Sequence, residues 1–255
     1  MQCPICYNKL IKKCDNNGNN ILRCCNGHSF DISKYGYVNL LPSKTNSGDN
    51  KEMVLARHNF LQKDYYLKLA LELKNIINDL NVRTLLDIGC GEGYYDRIIN
   101  DKNIEIFGLD ISKEAILKAA KVDKNIQYIV ASSNRLPFED NYFDCVMSVF
   151  SPIYPSEAKR VCSKYLIKVI PNKDHLKELK QELYENVRDN KILKEEIEGF
   201  NLIDEKTIDY KMKVEDVNEL FKMTPYFYTT HNNYDIKFKE MDISFSFIIR
   251  IYKVY

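Results

Sequence analysis

Leu85-Leu86-Asp87-Ile88-Gly89-Cys90-Gly91-Glu92-Gly93-Tyr94 is the stretch that decides the fold. An apolar run ends near Asp87 and passes at once into three glycines spaced two apart. The run, over 84–90, reads as a buried strand, and the residues behind the glycines open a helix. Glycine lets the backbone turn sharply and approach a ligand closely, and a helix start presents free N–H groups. A dinucleotide site would place Gly or Ala at position 94, where this chain has Tyr94.

Outward from this turn, strands and helices alternate. Strands are expected over 104–110, 126–131, 143–150 and 166–170, and helices over 113–121, 155–165 and 175–186. A helix over 214–223 and a half-buried strand over 243–252 close the chain. Upstream, apolar residues recur at helical spacing from Lys51 to about Leu80. This pattern predicts an α/β fold with a mostly parallel sheet covered on both faces. The expected division is 1–42 as a small β-rich module, 43–80 as linker and helical lead-in, and 81–255 as the main domain. Residues 43–50 are polar and breaker-rich, as a linker would be.

The Gly-x-Gly-x-Gly after a strand-terminal acid resembles the first motif of the class I methyltransferases. That resemblance implies S-adenosylmethionine at Asp87, Gly89, Cys90, Gly91, Glu92, Gly93 and Tyr94. The methionine end of this molecule carries an ammonium and a carboxylate, so an acid beside bare amides suits it. Asp110 ends the next strand, where a carboxylate can accept both ribose hydroxyls. The loop Ala131-Ser132-Ser133-Asn134-Arg135-Leu136-Pro137-Phe138 stands where such enzymes line the adenine. Ser132 and Ser133 are therefore further cofactor candidates.

The chain has eight cysteines, and five of them fall in the first 25 residues. Cys3-Pro4-Ile5-Cys6 is a metal knuckle, and Cys24-Cys25-Asn26-Gly27-His28 supplies a second. Tetrahedral zinc takes four such nitrogen and sulfur ligands. Spacing allows either Cys24 or Cys25 to pair with His28, while Cys14 lies near a hairpin tip. About 40 residues bury too little surface to fold without a staple, and four protein ligands leave no position for substrate. The zinc is thus structural. Cys90, Cys145 and Cys162 read as ordinary buried residues.

The net charge is +1, which does not mark a polyanion binder. Residues 1–44, however, hold six Lys/Arg and only two acids. A basic end on a near-neutral body fits phosphates. No apolar run approaches the roughly 20 residues of a membrane helix, and no secretory leader is read, so a cytoplasmic protein is expected.

Longer blocks narrow the resemblance. His28-Ser29-Phe30-Asp31, with Lys34 and Gly36-Tyr37-Val38-Asn39-Leu40-Leu41, is the first of them. Gly48-Asp49, Glu52-Met53, Ala56-Arg57 and Phe60-Leu61 form the second, and Met223-Thr224-Pro225 the last. With the glycine loop, they resemble the bacterial 23S rRNA guanine-N1 methyltransferases along essentially the whole chain. The resemblance implies methylation of N1 of a guanine in a 23S rRNA hairpin, a homodimer, and zinc on Cys3, Cys6, Cys24 and His28. Two features depart from that family. The Pro-Gly-Gly turn before the fifth strand is missing at Val161-Cys162-Ser163-Lys164-Tyr165, and Asp64 stands in Lys63-Asp64-Tyr65-Tyr66 where relatives often carry Gly. No catalytic base is legible, and Asp144 and Glu157 have only proximity in sequence to recommend them. Tyr154 and Tyr37 are candidate stacking surfaces for a base. The rival readings are a small-metabolite methyltransferase, against which the zinc knuckle would be idle, and an inactive RNA-binding relative.

Overall fold

The computed structural model describes residues 1–41, 50–101, 103–184, 196–229 and 237–255. Strands β1 (Ile11–Cys14), β2 (Asn20–Arg23) and β3 (Ser29–Asp31) form a small antiparallel sheet. β4 (Val38–Asn39) leaves it and joins the large sheet. Helices α1 (Lys51–Leu61) and α2 (Leu67–Asp79) follow, then β5 (Thr84–Ile88), α3 (Tyr94–Ile99), β6 (Glu105–Asp110), α4 (Lys113–Val122), β7 (Gln127–Val130) and β8 (Phe143–Val149). The rest is α5 (Pro155–Val161), β9 (Cys162–Pro171), α6 (Lys177–Leu183), β10 (Phe200–Val214), α7 (Val217–Lys222), α8 (Tyr226–Thr229) and β11 (Met241–Val254).

The large sheet has the order β10-β11-β9-β8-β5-β6-β7-β4. The strands from β4 to β9 pair in parallel, and β11 pairs antiparallel with both β9 and β10. The expected α/β fold is thus present, with the small module at its N-terminus. Strand order reverses between β5 and β8, the kind of switch point beside which such sheets bind ligands. Burial follows the helical spacing of the sequence. On α2, Leu69, Ala70, Leu73, Ile76 and Ile77 are all buried. Asn50 and Ser112 cap α1 and α4 by accepting from the backbone N–H of Met53 and Ala115.

Four differences from the sequence reading have physical causes. First, the N-terminal module does not end cleanly near residue 42. Val38 and Asn39 pair with Ile129 and Val130, and Val38 and Leu40 pack in one core with Leu86, Ile88 and Ile129. Second, the helix expected over 155–165 stops at Val161, and β9 starts at once with Cys162, four residues early. With no turn to separate them, the chain absorbs the mismatch as a bulge opposite Phe143–Cys145. Third, β10 was not expected. Fourth, the 51–80 helical stretch is broken at Asp64, whose φ of 60° is left-handed. The expected linker at 43–50 lies outside the described residues except for Asn50, as do residues 185 and 186 of the expected 175–186 helix.

Candidate functional site

Local hydrogen bonds build the two knuckles. The Cys3 N–H donates to the Asn8 carbonyl and Tyr7 N–H to the Cys3 carbonyl, while Cys24 N–H donates to the His28 carbonyl. The ligand atoms of Cys3, Cys6, Cys24 and His28 all lie within 4.8 Å of one another. His28 Nδ1 stands 3.4 Å from Cys24 Sγ and 3.6 Å from Cys3 Sγ, and the Cys6 and Cys24 sulfurs are 3.5 Å apart. A zinc–sulfur bond of about 2.3 Å gives a tetrahedron with edges of roughly 3.7 Å, so the residues fit the ion. Asn8, through its backbone and side-chain N–H groups, holds the Cys6 thiol down to about 6, favouring the thiolate a metal needs. Cys25 and Cys14 are exposed and outside the cluster. Of the two cysteines that spacing left open, it is Cys24 that stands in the cluster.

The module is fastened to the main domain. Gln2 N–H donates to the Pro137 carbonyl at 2.7 Å, and the Arg135 guanidinium lies 3.2 Å from the Tyr7 ring centroid. Leu10, Leu22 and Cys24 share a core with Leu136 and Phe138.

A cavity of about 760 Å³ opens at the switch point, beyond the ends of β5, β6, β8 and β9. Gly89, Cys90, Gly91, Glu92, Tyr94 and Asp110 stand on its wall. So do Met53, Arg57 and Met223-Thr224-Pro225, which brings three separated sequence blocks together. The loop's shape depends on distant residues. A Cβ on Gly89 would lie 2.1 Å from Ser151 Oγ, and one on Gly93 would lie 2.2 Å from the Tyr128 hydroxyl oxygen. Both glycines also have positive φ. Gly91 N–H donates to Asp110 Oδ2 at 2.9 Å, and Ser112 N–H to Asp110 Oδ1 at 2.7 Å. A Cβ on Gly91 would meet only the Arg57 guanidinium, at 3.6 Å, so bare backbone and a cation face each other.

The other expected cofactor residues are placed differently. Asp87 is buried beneath the loop, off the cavity wall. Burial raises its carboxyl well above the ordinary range, reinforced by Asp96, and lifts Asp96 to about 7. Each buried carboxyl is disfavoured as an anion by loss of water. Glu92 is on the wall, but its carboxylate is engaged by Arg97 at 2.9 Å and His58 at 3.0 Å. Gly93 is turned toward Tyr128. Ser132 and Ser133 sit just past β7, off the cavity wall, and Ser132 Oγ accepts from Asn134 N–H.

The two carboxylates set aside in the sequence are spoken for elsewhere. Asp144 pairs with Lys164 and Glu157 with Arg160. Tyr37 is 8% exposed and packed in the core, so it is no stacking surface, whereas Tyr154 is 50% exposed. Phe150 stands at the end of the fourth expected strand, in the segment 150–154 where substrate-facing residues sit in this fold, and it lines the wall. Sequence reasoning missed Tyr66 and His175 as wall residues, because only folding brings residues 109 apart into one wall.

Comparison with known proteins agrees with these two sites. A family model of the N-terminal zinc ribbon of RlmA matches residues 1–47, and one of a methyltransferase domain matches residues 86–166. A Bacillus subtilis protein named as a 23S rRNA (guanine-N1-)-methyltransferase, YxjB, is 33% identical over 195 residues, covering 72% of this chain and 68% of the relative. The 23S rRNA (guanine(748)-N1)-methyltransferase of Streptomyces fradiae is 33% identical over 202 residues, covering 75% and 70%. A similarly named protein of Micromonospora griseorubida is 31% identical over 201 residues, covering 70% and 68%.

Proposed function

The chain belongs to the 23S rRNA guanine-N1 methyltransferase family, and from that premise we propose that it methylates N1 of one guanine in a hairpin loop of 23S rRNA. The observation that carries this reading is that one chain holds both halves of the apparatus: a zinc ribbon and a glycine-loop cavity, each matched by its own family model. S-adenosylmethionine, when bound, supplies a methyl group already activated by positive sulfur, so the protein's work is positioning. In this reading the Arg57 guanidinium, facing the bare backbone of Gly91, takes the carboxylate of the methionine end. Asp110, oriented by two backbone N–H groups, accepts the ribose hydroxyls. Ser132 and Ser133, just past β7 and off the cavity wall, border the adenine only where it reaches beyond the cavity.

Zinc with four protein ligands has no open position, so the module takes no part in the chemistry. Lys9, Lys12, Lys13 and Arg23 are exposed on it and are proposed to meet RNA phosphates. Charge reversal at Lys12, Lys13 and Arg23 leaves the metal ligands intact. It is expected to weaken hairpin binding and to lower the salt slope by about one for each phosphate no longer neutralised. An unchanged slope would remove the module from the RNA interface. The homodimer implied by the family, acting in the cytoplasm, completes the proposal, and sedimentation of the full chain tests it. Among the described residues no helix is long and apolar enough to cross a membrane.

The deciding experiment is primer extension on rRNA from cells with and without this gene. Methyl at N1 blocks Watson–Crick pairing and stops the polymerase. One gene-dependent stop at a guanine supports the reading, and an unchanged pattern refutes it.

A further inference from the structure

Beyond the glycine loop, the same cavity has a second, aromatic end. Ser151, which fills the space beside Gly89, follows Phe150, so the aromatic end begins one residue from the cofactor loop. Phe150 is 42% exposed and has a φ of 57°, a strained conformation for a bulky residue. Such strain persists where the surrounding fold imposes it and is concentrated at functional sites. Phe150 stacks on His175 at 6.1 Å and meets the edge of Tyr66 at the same distance. Tyr66 and His175 also line the cavity.

The hydrogen bonds of this group fix the direction of one proton. The Ser246 backbone N–H has only a hydrogen to give, and it points at His175 Nδ1 across 3.3 Å. Nδ1 is therefore the bare nitrogen, and Nε2 carries the hydrogen. His175 Nε2 lies 3.3 Å from the Tyr66 hydroxyl oxygen, so the imidazole donates and the tyrosine oxygen accepts. The Tyr66 hydrogen must then point elsewhere, and among the described residues its hydroxyl has no second partner. Burial, with Lys180 adding, holds His175 down to about 3, so the ring stays neutral and the arrangement does not reverse near neutral pH. The carboxylates on the cavity wall, Glu92 and Asp110, are both engaged at the cofactor end.

We propose that the Tyr66 hydroxyl donates a hydrogen bond to O6 of the acceptor guanine, held in its donating orientation by His175. The assignment rests on the guanine-N1 reading above. Guanine N1 carries a proton at neutral pH. As that proton leaves to water, its electron pair forms the new N1–carbon bond and the carbon–sulfur bond of the methyl donor breaks, with its electrons returning to sulfur. Negative charge develops on O6 while N1 loses its proton, and a pre-aimed donor stabilises that charge. Tyr66 is the group that touches substrate, and His175 is a positioning residue that acts through it.

The test uses the full-length, zinc-loaded chain and a synthetic hairpin centred on the guanine that primer extension identifies. Tyr66→Phe keeps the ring and loses only the hydroxyl. Its single-turnover rate is expected to fall at least about tenfold, with RNA and S-adenosylmethionine affinities within about twofold of wild type. Replacing the target by 6-thioguanine, whose sulfur is a poor acceptor, makes the cycle specific. The guanine-to-thioguanine rate ratio should be about tenfold smaller in Tyr66→Phe than in wild type, since intrinsic differences between the bases cancel. His175→Leu should resemble Tyr66→Phe, and His175→Gln, whose amide can still donate to the tyrosine oxygen, should recover part of the rate. A full rate for Tyr66→Phe, or an unchanged base ratio, overturns the donor assignment while leaving the function intact. Failure of the wild-type chain to produce any N1-methylguanine overturns both.

Discussion

The zinc knuckle and the glycine loop are both short turns that hold a small ligand, yet they are kept in shape in opposite ways. The knuckle draws all four ligands from residues 3–28, and its turns close through bonds between near neighbours such as Cys3 with Asn8 and Cys24 with His28. The glycine loop owes its shape to residues far along the chain: Asp110 under Gly91, Ser151 against Gly89, Tyr128 against Gly93, and His58 on Glu92. A site made of ligands needs only its ion to be complete. A site made of bare backbone needs a fold around it to keep the space open. Removing the ion should therefore collapse the first region, and filling the space should spoil the second.

Metal loss gives the largest expected effect. Cys24→Ser, or chelation, should release the single zinc and unfold the small sheet, because metal binding in such modules is worth about 10–16 kcal/mol. Cys14→Ser and Cys25→Ser should each retain one zinc per chain by metal analysis. Zinc retained by Cys24→Ser but lost from Cys25→Ser would refute the ligand set. Since Leu22 and Cys24 pack with Leu136 and Phe138, the comparison sharpens if zinc loss also weakens S-adenosylmethionine binding.

Filling the loop comes next. Gly93→Ala places a Cβ on the Tyr128 hydroxyl at positive φ, and should cost roughly 2–4 kcal/mol in denaturant unfolding without touching the zinc content. Tyr128→Phe in the same chain should recover only part, because the ring carbon behind the hydroxyl is still 2.8 Å away. A neutral Gly93→Ala would mean that the loop does not depend on its packing.

Asp110→Ala removes the acceptor of two backbone N–H groups along with the proposed ribose contact. Calorimetry should show S-adenosylmethionine affinity weaker by about 1–3 kcal/mol, and unchanged affinity would end the ribose assignment.

Acid–base behaviour separates the regions further. Burial lifts Asp96 to about 7, above its ordinary value of 3.8, so the folded state holds a proton that the unfolded chain gives up. That contribution is fully present below about pH 4 and is lost as pH rises through 7. Denaturant melts of Asp96→Asn should lose less stability than wild type between pH 5 and pH 8. Parallel curves for the two proteins would refute the buried-carboxylate reading.

The smallest effect is expected at Asp64, a non-glycine residue with a left-handed φ of 60°. Asp64→Gly should stabilise the chain by up to about 1 kcal/mol, read as a small rise in melting temperature. A drop would mean that the Asp64 side chain does more for the turn than relief of strain returns.

Much of this molecule was legible in order along the chain. The alternation of strands and helices from residue 84 to 150 reproduces β5 to β8 within a residue or two, because each element carries its own apolar period. β10 was missed although Ile208, Tyr210, Met212 and Val214 repeat at period two and are partly or fully buried. Its intervening positions are charged or polar, and Leu202 and Ile203 break the alternation at its start. The early start of β9 was hidden because α5 runs straight into it, with no Gly, Pro or Asn where Val161 meets Cys162 to mark the change.

By itself the sequence determined the zinc ligands as residue types, the glycine loop, Asp110 and the α/β fold, since each depends on neighbours within one turn or one strand. Spacing left Cys24 and Cys25 open and the family resemblance chose Cys24; the tertiary structure brings Cys24 into the cluster, puts Tyr37 in the core and leaves Ser132 and Ser133 off the cavity wall. It alone joined Tyr66 to His175 and Ser246. These outcomes turn on which side chains meet across long loops, and a one-dimensional pattern cannot specify the direction of a proton set by the contact of three elements distant in the chain.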